Sequence, residues 1–542
     1  SVAFTNNTAA QSSPSVYVGG GAINHRNGMI VFNSDATFND NHSASGGGAI
    51  MSAGDMIFNG AANFDGNSAE LNGGAISVLG GHVTFAGPAT FTSNTAAGAS
   101  AIFIKESANG LTFNDTAFFS SNTGVGTILN DGPSAKIIFD KGVIFDANTN
   151  EYNGALVNKG IVSSQGGDFI FTNNSGSNGG GLKNSGTVDV NAPGVILFDT
   201  NSTDSTAGAL DNGGTVLLTA SDISFKNNTS NAGYGGAIFN AGDITISGPS
   251  NSFVGNTARD SGAIKNGGGA IHNRGNTGTA TLIIGSDGGT NIFESNSSNA
   301  YGGAIVSRAF DGAGQDSEII INGTTTFSGN QSTLDGGAVW AMVSPDGDTT
   351  GSSTITFNGD TVFSGNTSGG HGGAIYNNDT VIFNGTATFT GNSAAGIAND
   401  IHNDGTMTFA GDTTLDGGVT GSGTLQIASG TTFDIGTSNI TQGAITLDGI
   451  LMATLRGGDV PQITVENAGG FTGNGVLRLS FDSAGTYKVF GNQTFANIDA
   501  TNPVYDLTWS GGDVTATTKS VADIASQNNL SSDAARVISG VS

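Results

Sequence analysis

The strongest constraint on this 542-residue chain is that it repeats itself. F-x-x-N begins at Phe4, Phe38, Phe64, Phe91, Phe119, Phe145, Phe171, Phe198, Phe225, Phe253, Phe293, Phe327, Phe363 and Phe389, and most steps are 26–28 residues. A second string, GGA[IV], ends at Ile23, Ile50, Ile76, Ile238, Ile271, Ile305, Val339 and Ile375. In other cycles it decays to forms such as GGGLKN (179–184), AGALDN (207–212) and ANDIHN (398–403). Self-similarity at such a period marks a solenoid, in which each unit buries its apolar face only against its neighbours.

Each cycle reads F-x-x-N, a small polar turn, GGAI, often x-N-x-G, a strand such as TVIFNG (380–385), and Phe again. Apolar residues alternate with period two, as in TVIFNGTATF (380–389) and DITISG (243–248). Helical spacing is absent over the same span. Three short strands and three turns fill one coil, so the chain is expected to be all-β, a parallel β-helix. Stacked coils lie about 4.8 Å apart, so fourteen of them make a rod of roughly 65–70 Å. Equivalent residues then form ladders: Phe64 over Phe91, Asn67 over Asn94, and likewise Phe363 and Asn366. Each buried Phe or Ile is worth roughly 1.5–3 kcal/mol. The corner Asn can bond the next Asn and the turn backbone. In the Gly372–Gly373–Ala374–Ile375 string, glycine permits positive φ at a tight corner and Ala fits where sheets approach. The Asn of x-N-x-G is expected at a left-handed turn position.

Composition narrows the function. Lys plus Arg number 16 against 43 Asp plus Glu, a net charge of −27, which disfavours nucleic acid and anionic lipid. The chain has 89 Gly but 8 Pro, without collagen spacing. It has no Cys, excluding disulfides, thiolate metal sites and a cysteine nucleophile. No apolar run reaches membrane-spanning length. SVAFTNNTAA, the first ten residues, lacks the features of a signal peptide.

The alternating GGA[IV] and F-x-x-N motifs over residues 4–403 resemble those of chlamydial polymorphic outer membrane proteins and related bacterial autotransporters. The resemblance implies a right-handed β-helix passenger, displayed outside the cell at the bacterial outer-membrane surface and often acting as an adhesin. The chlamydial proteins usually contain cysteine, which points to a relative in another lineage. On this comparison residues 1–404 are the repeat β-helix and 405–474 its continuation without the motif. Residues 475–519 are a C-terminal capping or autochaperone-like folding module. Residues 520–542 are a helical or flexible linker towards a translocator barrel, the expected route to the membrane.

Function is sought where the monotony breaks. The GGAI-type residue normally precedes the next Phe by 14 or 15 positions, but Ile271 to Phe293 and Ile305 to Phe327 span 22, and Val339 to Phe363 spans 24. Three consecutive coils therefore carry insertions on one face. Around them stand Arg274, Arg308, Phe310, Trp340 and Met342, scarce here and of types enriched at interfaces. They are the candidate binding residues, for a host-surface protein, a glycan or a neighbouring copy of the chain. Tolerated insertion is the plainer alternative.

No repeated carboxylate pair occurs at coil spacing beside a basic residue, and no Ser-His-Asp or phosphate-loop signature occurs, so no enzyme is expected. No cofactor is expected; structural calcium is conceivable at 311–318 or 344–350, but no G-G-x-G-x-D nonapeptides support it. The six histidines, 25, 42, 82, 272, 371 and 402, are isolated in sequence, and no metal is assigned to them. His272 and His402 are expected to face solvent. A coil end is an unpaired strand edge, so a self-assembling filament or surface-layer subunit remains the competing function.

Overall fold

A computed structural model describes residues 1–10, 19–259, 267–276, 278–309, 314–342, 351–457, 460–489, 497–502, 504–510 and 512–527. Its coils stack in parallel register. Phe64 lies between Phe38 and Phe91, and Phe363 lies between Phe327 and Phe389. The strands form three parallel sheets, as the repeat predicts. Each coil, however, gives four strand segments and not three. Thr380–Phe383 and Ala387–Thr390 enter one sheet, Ser393–Ala394 a second, and Ile375–Asn377 a third. The two segments of the first sheet are separated only by a bend, and they fuse into single strands at Thr187–Asp199 and Thr215–Lys226.

The interior is a pair of ring columns. From Phe4 to Phe389 the F-x-x-N rings stack with centroids 4.6–5.2 Å apart and planes within 12°. The repeat imposes this separation, because identical side chains inherit the inter-strand spacing. Phe32, Phe58, Phe85, Phe113 and Phe139 form a second column. It meets the first edge-on, as in Phe58–Phe64 at 5.9 Å and 78°, the geometry the ring quadrupole favours. Ser164 interrupts this column, and Phe169 packs instead against Phe171 at 5.0 Å.

Beside the rings runs the asparagine ladder. The backbone N–H and the side-chain Nδ2 of Asn67 both donate to Oδ1 of Asn94, each at 3.0 Å, and Nδ2 also donates to the Phe38 carbonyl at 2.8 Å. Asn94 repeats this with Asn122 and Phe64, and Asn366 with Asn392 and Phe327. Each buried amide is thereby satisfied, as its burial demands. The residue preceding each ladder Asn turns the corner with positive φ, from Asn6 (55°) through Ala147 (53°) and Thr200 (57°) to Gly391 (63°).

The Asn of x-N-x-G does not take the left-handed turn position. It is buried inside a strand and builds a second ladder. Asn158 Nδ2 donates to Asn184 Oδ1 at 2.9 Å, and Asn184 to Asn212 at 2.9 Å. It also clamps its own turn: Gly186 N donates to Asn184 Oδ1, and Asn184 Nδ2 donates to the Gly186 carbonyl, both at 3.1 Å. The two glycines of GGAI divide their work. Gly372 takes φ +64°, whereas the next position is crowded, a Cβ on Gly337 falling 1.9 Å from the Gly373 carbonyl oxygen. Ala374 and Ile375 are fully buried.

The architecture changes at residue 400. The sheet of two-residue strands ends where Ser393–Ala394 pairs antiparallel with Ile397–Ala398, and later coils lack that side. Ile401, Val419, Ile440 and Ile463 continue the stack at shorter intervals. Parallel pairing runs past 474, through Val476–Phe481 to Ile498–Ala500, so the expected C-terminal module opens with further coil. An antiparallel sheet of Gly485–Lys488, Asp513–Thr518 and Tyr505–Ser510 follows, placing Tyr487, Val514 and Ala516 on the core. The helix Val521–Gln527 comes next; no helix among the described residues is long and apolar enough to cross a membrane.

Candidate binding face

The I-x-N strands set the geometry of the inserted coils. Ile and Asn point inward, so the middle residue stands on the outer face. Over six coils these residues are Phe239, His272, Val306, Trp340, Tyr376 and His402, each in register with the next. The residue before Gly-Gly-Ala folds over the same column. Tyr301 stacks on Trp340 with centroids 4.5 Å apart, Tyr234 meets Phe239 at 5.8 Å and His272 at 5.3 Å, and His371 lies 4.7 Å from His402. The result is an aromatic stripe absent from most earlier coils.

Arg274, Arg308 and Met342 form the adjacent column, in mutual register at the edge from which the three insertions leave. The structure thus joins three of the sequence candidates and places Trp340 one column away. Their exposure departs from expectation. Trp340 is 2% exposed and Arg308 8%, so both support the face from beneath. Arg274 and Met342 are half-buried. The Arg274 guanidinium sits 5.6 Å from the Tyr234 ring centroid and 5.2 Å from that of Phe239, a cation–π contact. Phe310 lies outside the described residues, as do 311–313 and 344–350 of the calcium candidates.

His272 does not face solvent. It is fully buried, and its Nδ1 lies 3.1 Å from the Gly267 carbonyl, which fixes the proton on Nδ1. Burial, and then the Arg274 charge, hold its pKa well below the ordinary imidazole value. His402 is half-buried, bridging Thr420 Oγ1 and Asp404 Oδ2, each at 3.0 Å, because Tyr376 and His371 close over it. Burial, with the nearby Asp404 carboxylate, pushes the Tyr376 hydroxyl up to about 12. Burial likewise raises Asp211, which accepts from Thr206 Oγ1 at 2.8 Å.

The second asparagine ladder changes along the inserted coils. In regular coils the second Asn ladder clamps the x-N-x-G turn. Here Ser307 and Ala341 occupy ladder positions in register with Asn273 and Asn377. Serine hydroxyls carry the network instead: Asn273 Nδ2 donates to Ser317 Oγ at 2.9 Å, and Ser307 Oγ lies 2.8 Å from both Ser317 Oγ and Ser353 Oγ. The sequence signal for the face was the aromatic set at Tyr234, Phe239, Tyr301, Tyr376 and His402, one or two per coil at fixed motif positions.

No grouping of three or more His, Asp or Glu suited to a metal ion occurs among the described residues. The face presents aromatic rings beside the Arg274 guanidinium.

Comparison with known families returns one match, the Chlamydia polymorphic membrane protein (Chlamydia_PMP) repeat, at residues 35–53, 222–241, 324–342 and 360–378. Each span covers one F-x-x-N and the following GGA[IV], and the last two flank the third insertion. No curated protein and no solved structure matches the chain. The family supports a surface-associated passenger, and the matched spans coincide with the ring and asparagine ladders. Four segments of the β-helix are therefore copies of the polymorphic membrane protein repeat.

Proposed function

We propose that this chain is the surface-exposed passenger of a bacterial autotransporter and acts as an adhesin. The rod is the spacer, and the inserted-loop face is the contact surface for a host-surface protein or glycan. One observation carries the proposal: Arg274, Arg308 and Met342 stack in register, so the three insertions leave one edge side by side. Random insertion would scatter loops around the coil. The supporting aromatic stripe stiffens that edge and so lowers the entropy lost on binding. The test is host-cell binding by the purified chain and by a variant lacking 310–315 and 343–350, which leaves the flanking strands intact. Retained binding in a folded deletion variant would remove the proposal.

A second reading, a self-assembling subunit of a filament or surface layer, is favoured by a different feature. Phe118, Ile144, Ile170 and Leu197 form an outward apolar column on consecutive coils, with Phe118 and Ile144 each 37% exposed. Light scattering across dilution distinguishes the two: an assembling subunit grows with concentration, and an adhesin monomer does not.

A further inference from the structure

The step at residue 400 leaves a ledge. Above it stand the last coils with the two-residue strand; below it, coils that lack that side. The bared wall forms an open groove of about 720 Å³, lined by His371, Ile397, His402, Asp416 and Thr437–Asn439 among others. That volume lies within the roughly 300–1,000 Å³ of small-molecule sites.

The chemistry of the lining selects a ligand class. No Lys or Arg lines the groove, and the chain carries a net charge of −27, so phosphate, sulfate and carboxylate ligands are disfavoured. The Asp416 carboxylate accepts from Gly391 N and Thr390 Oγ1, so part of its acceptor capacity is spent within the chain, and the other polar groups of the groove are uncharged. Unspent hydrogen-bonding capacity is neutral. Asn439 uses Oδ1 to accept from Gln462 N at 2.8 Å, leaving its amide hydrogens. The Ser438 hydroxyl donates to the Asp416 carbonyl at 2.7 Å and retains lone pairs. The His371 ring and the Thr437 hydroxyl make no hydrogen bond among the described residues. Apolar surface lines the same groove: Ile397 is 72% exposed, and the His371 ring lies 4.7 Å from that of His402. Strand addition by a peptide is disfavoured, because the closing strand Ile397–Ala398 is two residues long.

Uncharged donors and acceptors lining one groove with an exposed isoleucine and a pair of imidazole rings suit a ligand with hydroxyls on its edge and C–H groups on its face. We propose that the ledge groove binds a neutral oligosaccharide. The site lies in other coils than the inserted loops and does not depend on their role.

The test uses the full chain with maltohexaose, cellohexaose and the N-acetylglucosamine hexamer, with a heparin hexasaccharide as anionic control, read by saturation-transfer NMR and calorimetry. Saturable binding of a neutral hexamer is expected at a Kd below about 1 mM. The paired change Thr437→Ala with Asn439→Ala, both at exposed positions, should weaken it by about tenfold, and His371→Ala should weaken it too. Circular dichroism confirms that the variants fold. Deleting 310–315 and 343–350 should leave saccharide binding unchanged, which separates this site from the adhesin face. The proposal is overturned if no neutral hexamer binds saturably, if the groove variants bind as tightly as the parent, or if only the heparin fragment binds.

Discussion

The side chain of Asn392 donates from Nδ2 to Oδ1 of Asp400 at 2.8 Å, and that carboxylate ends the asparagine ladder. Asp400 is fully buried, and its Oδ2 accepts from the backbone N–H groups of Asp416 (3.1 Å) and Gly417 (2.6 Å). A ladder of amides needs an acceptor at its open end, and a carboxylate supplies one while gathering the first turn of the narrower coils.

Burial raises the Asp400 carboxyl from the ordinary 3.8 to about 6. The folded chain therefore binds a proton there that the unfolded chain does not, between about pH 4 and 6. Its contribution to stability is fully present below about pH 4 and is lost as pH rises through 6. Relative to the parent, Asp400→Asn should gain on the order of 2 kcal/mol between pH 4 and 7. Denaturant unfolding of both chains at the two pH values checks this; a constant difference would refute it.

Within the ladder, Asn94→Ala strands the N–H and Nδ2 of Asn67 and the Phe64 carbonyl. Each orphaned buried group costs about 1–3 kcal/mol, and partial relaxation makes a net loss of about 2–4 kcal/mol the expected outcome. Hydrogen exchange should localise the loosening to neighbouring coils, because solenoid repeats couple mainly to nearest neighbours.

The corner before each ladder Asn is left-handed, and Ala147 and Thr200 hold it at φ 53° and 57°. An L side chain there is strained by about 1 kcal/mol or more. Ala147→Gly and Thr200→Gly should each stabilise by about 1 kcal/mol, seen as a rise in the denaturation midpoint.

At the crowded glycine the sign reverses. Gly337→Ala would put a methyl 1.9 Å from the Gly373 carbonyl oxygen, forcing two coils apart. A loss of about 3 kcal/mol or more is expected, and soluble yield should fall with it. An unchanged midpoint would show that the coils are looser than their register implies.

One of the two tryptophans reports on the loop face. Trp340 is 2% exposed against Tyr301, whereas Trp509 is 44% exposed. Trp509→Phe should leave a blue-shifted emission that acrylamide barely quenches; ready quenching would place Trp340 at the surface.

The sequence by itself determined the coil: its period, its parallel stacking, and the Phe and Asn columns running through Phe64, Phe91, Asn67 and Asn94. That information is local and repeated, so each cycle states it again, and strand spacing does the rest. The insertions were equally legible, being additions to a known count. Only the tertiary structure decided which scarce residues reach the surface. His272 and Trp340 occupy a position that alternation points outward, yet Tyr234 and Tyr301 close over them from another part of the coil. The role of the second asparagine was hidden because Asn before x-Gly equally suits a left-handed turn, and only the strand register buries it. The ledge was hidden too, because a groove arises where a repeat stops, and no single cycle contains both of its walls.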